Sequence, residues 1–291
     1  MTNRLTHSIS FAAASIGVIL LAATTAPVAN AAPAPAAAPP AAAWSHNPAL
    51  PTGPAHWGAL DPEWTQCASR EGQSPVAIAA TRKARLPVLR VDYARTPLVV
   101  ENTGHVVEVP QPAADGGTLT VGADSYQLTQ WHVHAPSEHV LNGHRADLEI
   151  HLVHADAQGH TAVLAVFADV TPSRRPSAAS KLLSTVVRAA PETADEETDL
   201  ERDVSAAVLL GAGPDGRRIL TRYVTYTGSL TTPPCTGGVR WLVVPRTIRI
   251  DQRSVRHLHA LIASFPGYHG YPNDNRPLQP LGSRTVERRA G

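Results

Sequence analysis

Two apolar runs carry histidine on one side only, and they constrain this chain more than any other feature. The first is Gln130-Trp131-His132-Val133-His134. Successive side chains of a strand point to opposite faces. Gln130, His132 and His134 therefore share a face, while Trp131 and Val133 take the other. Pro136 cannot donate to a ladder and ends the strand. The second run, Leu148-Glu149-Ile150-His151-Leu152-Val153, places Glu149, His151 and Val153 together. An antiparallel return around Asn142-Gly143 brings His151 beside the first pair. Three neutral imidazoles with an open fourth position describe a catalytic zinc site. Nitrogen donors favour zinc over calcium or magnesium, while copper, cobalt and iron remain compatible with them. Gln130 and Glu149 are placed to take the second N–H of a metal-bound ring. An unpaired glutamate on so apolar a strand would be costly. Of the fourteen histidines, His144, His154, His160, His257, His259 and His269 belong to no such pattern and are read as ordinary core or surface residues.

The surrounding chain reads as strands broken by turn residues. Strands are predicted over 105–109, 118–121, 126–134, 148–154, 162–168, 223–227 and 239–244. Breaks fall at Asn102-Thr103-Gly104, Asp115-Gly116-Gly117, Asn142-Gly143 and Asp215-Gly216. Helical periodicity covers 177–190, with Leu182, Leu183, Val186 and Val187 on one side. It recurs over 253–265, with Val255, Leu258, Ile262 and Phe265. The acidic stretch 192–203 is expected to be a solvated surface segment. No linker divides residues 44–291, which are assigned to one β-rich domain. The N-terminus is expected to be a signal peptide, 1–31: Arg4 precedes an apolar run, and Ala29-Asn30-Ala31 fits a cleavage site. This reading is preferred to an uncleaved anchor, because the run is short for a spanning helix. Residues 32–43, nearly all Ala and Pro, form an extended spacer. A secreted or periplasmic location follows, with no stable membrane insertion after cleavage. There, Cys67 and Cys235, the only two cysteines, favour a disulfide over two buried thiols. Net charge is +1 and no run of Lys and Arg tracks phosphates, which argues against nucleic acid as a partner.

The motifs now converge. Q-W-H-V-H-A-P-S-E-H over 130–139, E-I-H-L-V over 149–153 and G-S-L-T-T-P-P-C-T over 228–236 closely resemble the alpha carbonic anhydrases. So do His56-Trp57-Gly58, Gln73-Ser74-Pro75 and R-P-L-Q-P-L over 276–281. They occur in the family's order from residue 56 to about 284; with the expected signal peptide and an Arg- and Ala-rich composition, the expectation is a secreted bacterial member. The resemblance implies a large twisted, mostly antiparallel central sheet with flanking helices. It implies zinc held by His132, His134 and His151, and reversible hydration of carbon dioxide to bicarbonate and a proton through zinc-bound hydroxide. Thr231 would accept a hydrogen bond from that hydroxide and pass its own proton to Glu138, and its N–H would receive a substrate oxygen. Thr232 would line the same wall. Val153, Val163, Leu230, Val239 and Trp241 match the family's apolar carbon dioxide pocket. His105 aligns with the proton shuttle, and an unperturbed histidine titrates near neutral pH. A Cys67–Cys235 bridge would tie the Thr231 loop to the N-terminal region. A homodimer is implied by analogy alone.

The departures are few. A tyrosine of the proton path is expected after His-Trp-Gly, where Ala59 stands. Gly237-Gly238 replaces a Glu-Gly, Asp274 an asparagine, and Ala146 an aromatic residue or histidine. Asp274 should still supply the main-chain carbonyl that holds the middle ligand. Two rival readings are a cupin, in which Glu138 would be a metal ligand and iron or manganese the metal, and a non-catalytic carbonic anhydrase-like binding domain.

Overall fold

β7 (Asp124–His134), which carries His132 and His134, is paired on both sides. The computed structural model describes residues 43–112, 116–173, 175–213 and 215–290. The expected signal peptide and all but the last residue of the spacer lie outside the described residues, as does Asp115 of the predicted turn. The described residues belong to one compact unit.

Before β7 come β1 (Ala77–Ile78), β2 (Arg82–Ala84), β3 (Leu89–Asp92), β4 (Thr96–Asn102), β5 (Val107–Pro110) and β6 (Thr118–Val121). After it come β8 (Val140–Leu141), β9 (Leu148–Ala155), β10 (Thr161–Val170), β11 (Glu196–Val204), β12 (Arg217–Leu220), β13 (Val224–Ser229), β14 (Gly237–Ile250) and β15 (Glu287–Arg289). One sheet runs in the order β11-β4-β5-β7-β9-β10-β14-β13-β15-β2, with β3, β6 and β12 attached beside β7. Most pairs are antiparallel. The β10–β14 pair at the centre and β15–β2 at one end are parallel. β1 and β8 pair separately.

The two-residue side-chain period divides the sheet into two buried faces. Trp131, Val133, Ile150 and Leu152 join the larger core, which packs against α2 (Ala178–Ala189) and α3 (Gln252–Ser264). Val163, Tyr226, Val239 and Trp241 form a second apolar cluster on the histidine-bearing face. Burial on both faces explains why β9 and β10 read as nearly continuous apolar runs. Both helices start at a capping oxygen: Ser177 accepts from the Ser180 N–H, and Asp251 from the Ser254 N–H. Pro191 and Pro266 follow their ends and cannot continue them.

The stretch 192–203 departs from the reading above. Glu196–Val204 is β11, an edge strand paired antiparallel with β4, with a register shift between Asp199 and Asp203. Its acidic residues do face solvent. Charge suits an exposed edge, where it blocks pairing with another chain, so polarity alone did not exclude a strand. β1, β2, β3, β4, β8, β12 and β15 add strands to those expected from the sequence.

Candidate metal centre

The β7–β9 pairing sets His132 directly opposite His151, with His134 opposite Glu149. The turn that allows this uses Asn142 at φ 51° and Gly143 at φ 83°, a region glycine enters freely. All three imidazoles converge, and each has one nitrogen committed elsewhere. His132 Nδ1 lies 2.7 Å from Gln130 Oε1. His134 Nδ1 lies 3.0 Å from the Asp274 carbonyl oxygen. His151 Nε2 lies 2.9 Å from Glu149 Oε1. With these nitrogens donating, the lone pairs of His132 Nε2, His134 Nε2 and His151 Nδ1 remain free to coordinate.

The free nitrogens fit a tetrahedral ion. His151 Nδ1 and His132 Nε2 are 3.3 Å apart. A tetrahedron with zinc–nitrogen bonds of about 2.0–2.1 Å has edges of about 3.3–3.4 Å. His134 Nε2 is buried with no hydrogen-bond partner, which is costly unless something occupies that lone pair. Burial, reinforced by His134 and His151, lowers the His132 pKa, so this ring is neutral and ready to ligate. Burial also lowers that of His151 against the opposing pull of Glu149. For His134 burial lowers the pKa too, but Glu138 and Asp274 outweigh it.

Glu149 is fully buried and carries more than His151. Its Oε1 lies 2.7 Å from His139 Nδ1, and its Oε2 accepts from the His139 N–H at 2.7 Å. His139 Nε2 is 2.6 Å from the Tyr226 hydroxyl, itself 2.9 Å from Ser74 Oγ. This buried chain behind the ligand was not anticipated for His139, although the residue ends the first motif. Glu138 is also fully buried. Its Oε1 accepts from the Arg276 N–H at 2.8 Å, while its Oε2 has no hydrogen-bond partner. Thr231 is buried nearby on the Leu230–Thr232 wall, but the expected Thr231–Glu138 bond is not made in this structure.

A cavity of about 190 Å³ opens on the histidines. It is lined by Gln130, His132, His151, Val153, Val163, Leu230, Thr231, Thr232 and Trp241. Val239, also expected there, is not among the lining residues; it is buried in the apolar cluster that contains Trp241. Cys67 and Cys235 form a disulfide with Cα atoms 5.0 Å apart. Gln73 Nε2 donates to the Cys235 carbonyl at 3.2 Å, tying that loop to the chain before β1.

His105 lies in the turn before β5, but not as an open surface group. Its ring stacks on Trp44 with centroids 3.8 Å apart, and Tyr268 lies 6.1 Å away. Burial pushes its pKa down to about 4, against a smaller opposing effect of Asp195. Ala59, by contrast, is exposed on the short helix α1 (Trp57–Leu60). The aromatic groups beside His105 come from Trp44 and Tyr268 instead, and buried His46 lies 2.7 Å from the Tyr268 hydroxyl. Trp44 and His46 abut the Ala/Pro spacer, and neither lies in a motif that would have marked it.

The comparisons with known proteins can be set beside this geometry. A family profile described as eukaryotic-type carbonic anhydrase matches residues 52–290. The carbonic anhydrase of Neisseria gonorrhoeae is 36% identical over 233 residues, covering 80% of this chain and 83% of that one. The alpha-carbonic anhydrase of Thermovibrio ammonificans, solved with the inhibitor sulfanilamide, superposes with a TM-score of 0.72 at 33% identity, covering 84% of this chain and 99% of that chain. Dioscorin, solved in complex with ascorbate, superposes with a TM-score of 0.71 at 29% identity, covering 84% of this chain and 97% of that chain.

Proposed function

The chain belongs to the eukaryotic-type, or alpha, carbonic anhydrase family, and we propose that it hydrates carbon dioxide reversibly with a zinc ion held by His132, His134 and His151. The observation that carries the proposal is the set of three free imidazole lone pairs, spaced for a tetrahedral ion and each backed by an acceptor. Family membership sets the cupin reading aside. The intact triad argues against a binding domain that has lost its metal. When bound, zinc lowers the pKa of a coordinated water to about 7, a value that belongs to carbonic anhydrase as the reference case for this chemistry.

The remaining work falls to the chain's own groups. Gln130, Glu149 and the Asp274 carbonyl hold each ring in one tautomer and one orientation. We assign Glu138 Oε2, buried and unpartnered in this structure, as the acceptor for the Thr231 hydroxyl proton, a bond that requires Thr231 to turn toward it. That donation turns the Thr231 oxygen into an acceptor and selects a nucleophile that carries a proton. The Thr231 N–H receives a substrate oxygen in this proposal. Val153, Val163, Leu230 and Trp241 present an apolar wall that suits carbon dioxide. His105 is the candidate carrier of the released proton, with the structural obstacle that burial holds its pKa at about 4, below the near-neutral value that role calls for. Export to the periplasm or outside the cell belongs to the same proposal, and a disulfide suits that compartment.

Stopped-flow hydration assays on zinc-loaded and chelator-treated protein test this. Rapid hydration that disappears with the metal and returns with added zinc is expected. Folded, zinc-loaded protein that leaves carbon dioxide unhydrated would overturn the reading.

A further inference from the structure

His134 and Glu138 are both held by a segment with no ladder of its own. Residues 271–281 are neither helix nor strand. Yet the Asp274 N–H donates to the Ala135 carbonyl at 3.1 Å, and Asp274 Oδ1 accepts from the Ala135 N–H at 2.7 Å. The Asp274 carbonyl accepts from His134, and the Arg276 N–H donates to Glu138. Something outside the segment must fix its position.

The Arg276 side chain is 1% exposed. Its Nη1 donates to Gln73 Oε1 and the Ser74 carbonyl, both at 2.8 Å, and its Nη2 to the Cys67 carbonyl at 3.0 Å. Its guanidinium carbon lies 5.6 Å from the centre of the Trp57 ring. None of these acceptors is a carboxylate. Glu138 is the one charge that opposes the effect of its burial, and a buried cation is costly to desolvate. What a rigid fork with several donors supplies is geometry.

We propose that Arg276 is a positioning residue of the metal centre: its guanidinium anchors the segment Asp274–Arg276, which in turn orients the ligand His134 and the acceptor Glu138. The anchor reaches the disulfide as well, because Gln73 bonds both Arg276 and the Cys235 carbonyl. The inference rests on the zinc-hydratase reading for its catalytic consequence, but not for its effect on metal binding.

Three variants of the full exported chain test it: Arg276→Met, Arg276→Lys and Gln73→Leu. Zinc affinity is read by chelator competition, and ligand geometry by the visible spectrum of the cobalt-substituted protein. Arg276→Met is expected to bind zinc roughly 10–100-fold more weakly, the usual effect of losing support behind a ligand. Its cobalt spectrum should change, and kcat at saturating zinc should fall with KM nearly unchanged. Arg276→Lys keeps the charge without the fork and should fall between. Leu209→Ala, a core change far in sequence from these residues, serves as a control matched for lost thermal stability and should keep wild-type zinc affinity. Folded Arg276→Met with wild-type affinity and spectrum overturns the proposal, as does an equal affinity loss in Leu209→Ala. Should Arg276→Met not fold, wild-type zinc affinity in both Arg276→Lys and Gln73→Leu overturns it instead. A wild-type protein that binds zinc without hydrating carbon dioxide defeats the functional reading, while weaker zinc binding in Arg276→Met still supports the anchor.

Discussion

His105 shows how one neighbouring ring changes what a residue can do. As a free histidine it would titrate near 6.5, but burial pushes its pKa down to about 4, and Trp44 is stacked on its ring. At pH 7 the stacked imidazole is neutral and a weak base. His105→Ala should therefore lower the maximal hydration rate in weak buffer by only a few-fold, with partial rescue by imidazole. Trp44→Ala should raise the His105 pKa toward 6.5, readable by NMR titration. A pKa that stays near 4 in that variant would show that Trp44 is not the cause. The alignment identified His105 from its own motif. It could not identify Trp44, which lies outside every motif and reaches His105 only through the fold.

At the scale of elements, the β7–β9 pairing and the helix starts were both legible. Alternation placed His132, His134 and Gln130 on one face, and the observed register sets His132 opposite His151. Helix α3 begins where a capping aspartate was available: Asp251 Oδ1 accepts from the Ser254 N–H at 2.9 Å, and Oδ2 from Ser184 Oγ at 2.9 Å. Burial would raise the Asp251 pKa, but these hydrogen bonds outweigh it and hold it at about 2. A carboxylate with a depressed pKa contributes stability above its unfolded value near 3.9, and that contribution is lost as pH falls through the folded value. Asp251→Ala should cost about 1–2 kcal/mol at pH 7, as losses of helix caps do. The difference between variant and wild type should shrink as the pH approaches 2. Urea unfolding at a series of pH values checks both statements. The edge strand β11 was less legible, because its residues are charged and its partner β4 lies far away in sequence.

For the molecule as a whole, the Cys67–Cys235 bridge closes a loop across 168 residues. Its removal should cost roughly 4–5 kcal/mol if chain entropy dominates. Cys67→Ser/Cys235→Ser protein, or protein reduced under native conditions, should unfold at correspondingly lower denaturant concentration. Because Gln73 and Arg276 bond to the carbonyls of these two cysteines, the same change should weaken zinc binding. Equal zinc affinity with and without the bridge would show that the disulfide stabilises the fold without supporting the centre.

Local pattern alone was enough to bring His132, His134 and His151 together, with Gln130 and Glu149 beside two of them, and to find the main strands and both long helices. Each of these is a matter of local period or motif, which the backbone geometry of a strand or helix expresses directly. Family likeness added the Asp274 carbonyl, Thr231 and the apolar wall, of which Val239 proved to lie behind the cavity. What surrounds those groups depends on the folded arrangement. It joined Glu149 to His139 and Tyr226, laid Trp44 on His105, and ran Arg276 from the disulfide to Glu138. These contacts bring together residues as much as 209 positions apart. No local pattern specifies such a contact; it exists only once the sheet has brought distant segments within bonding distance.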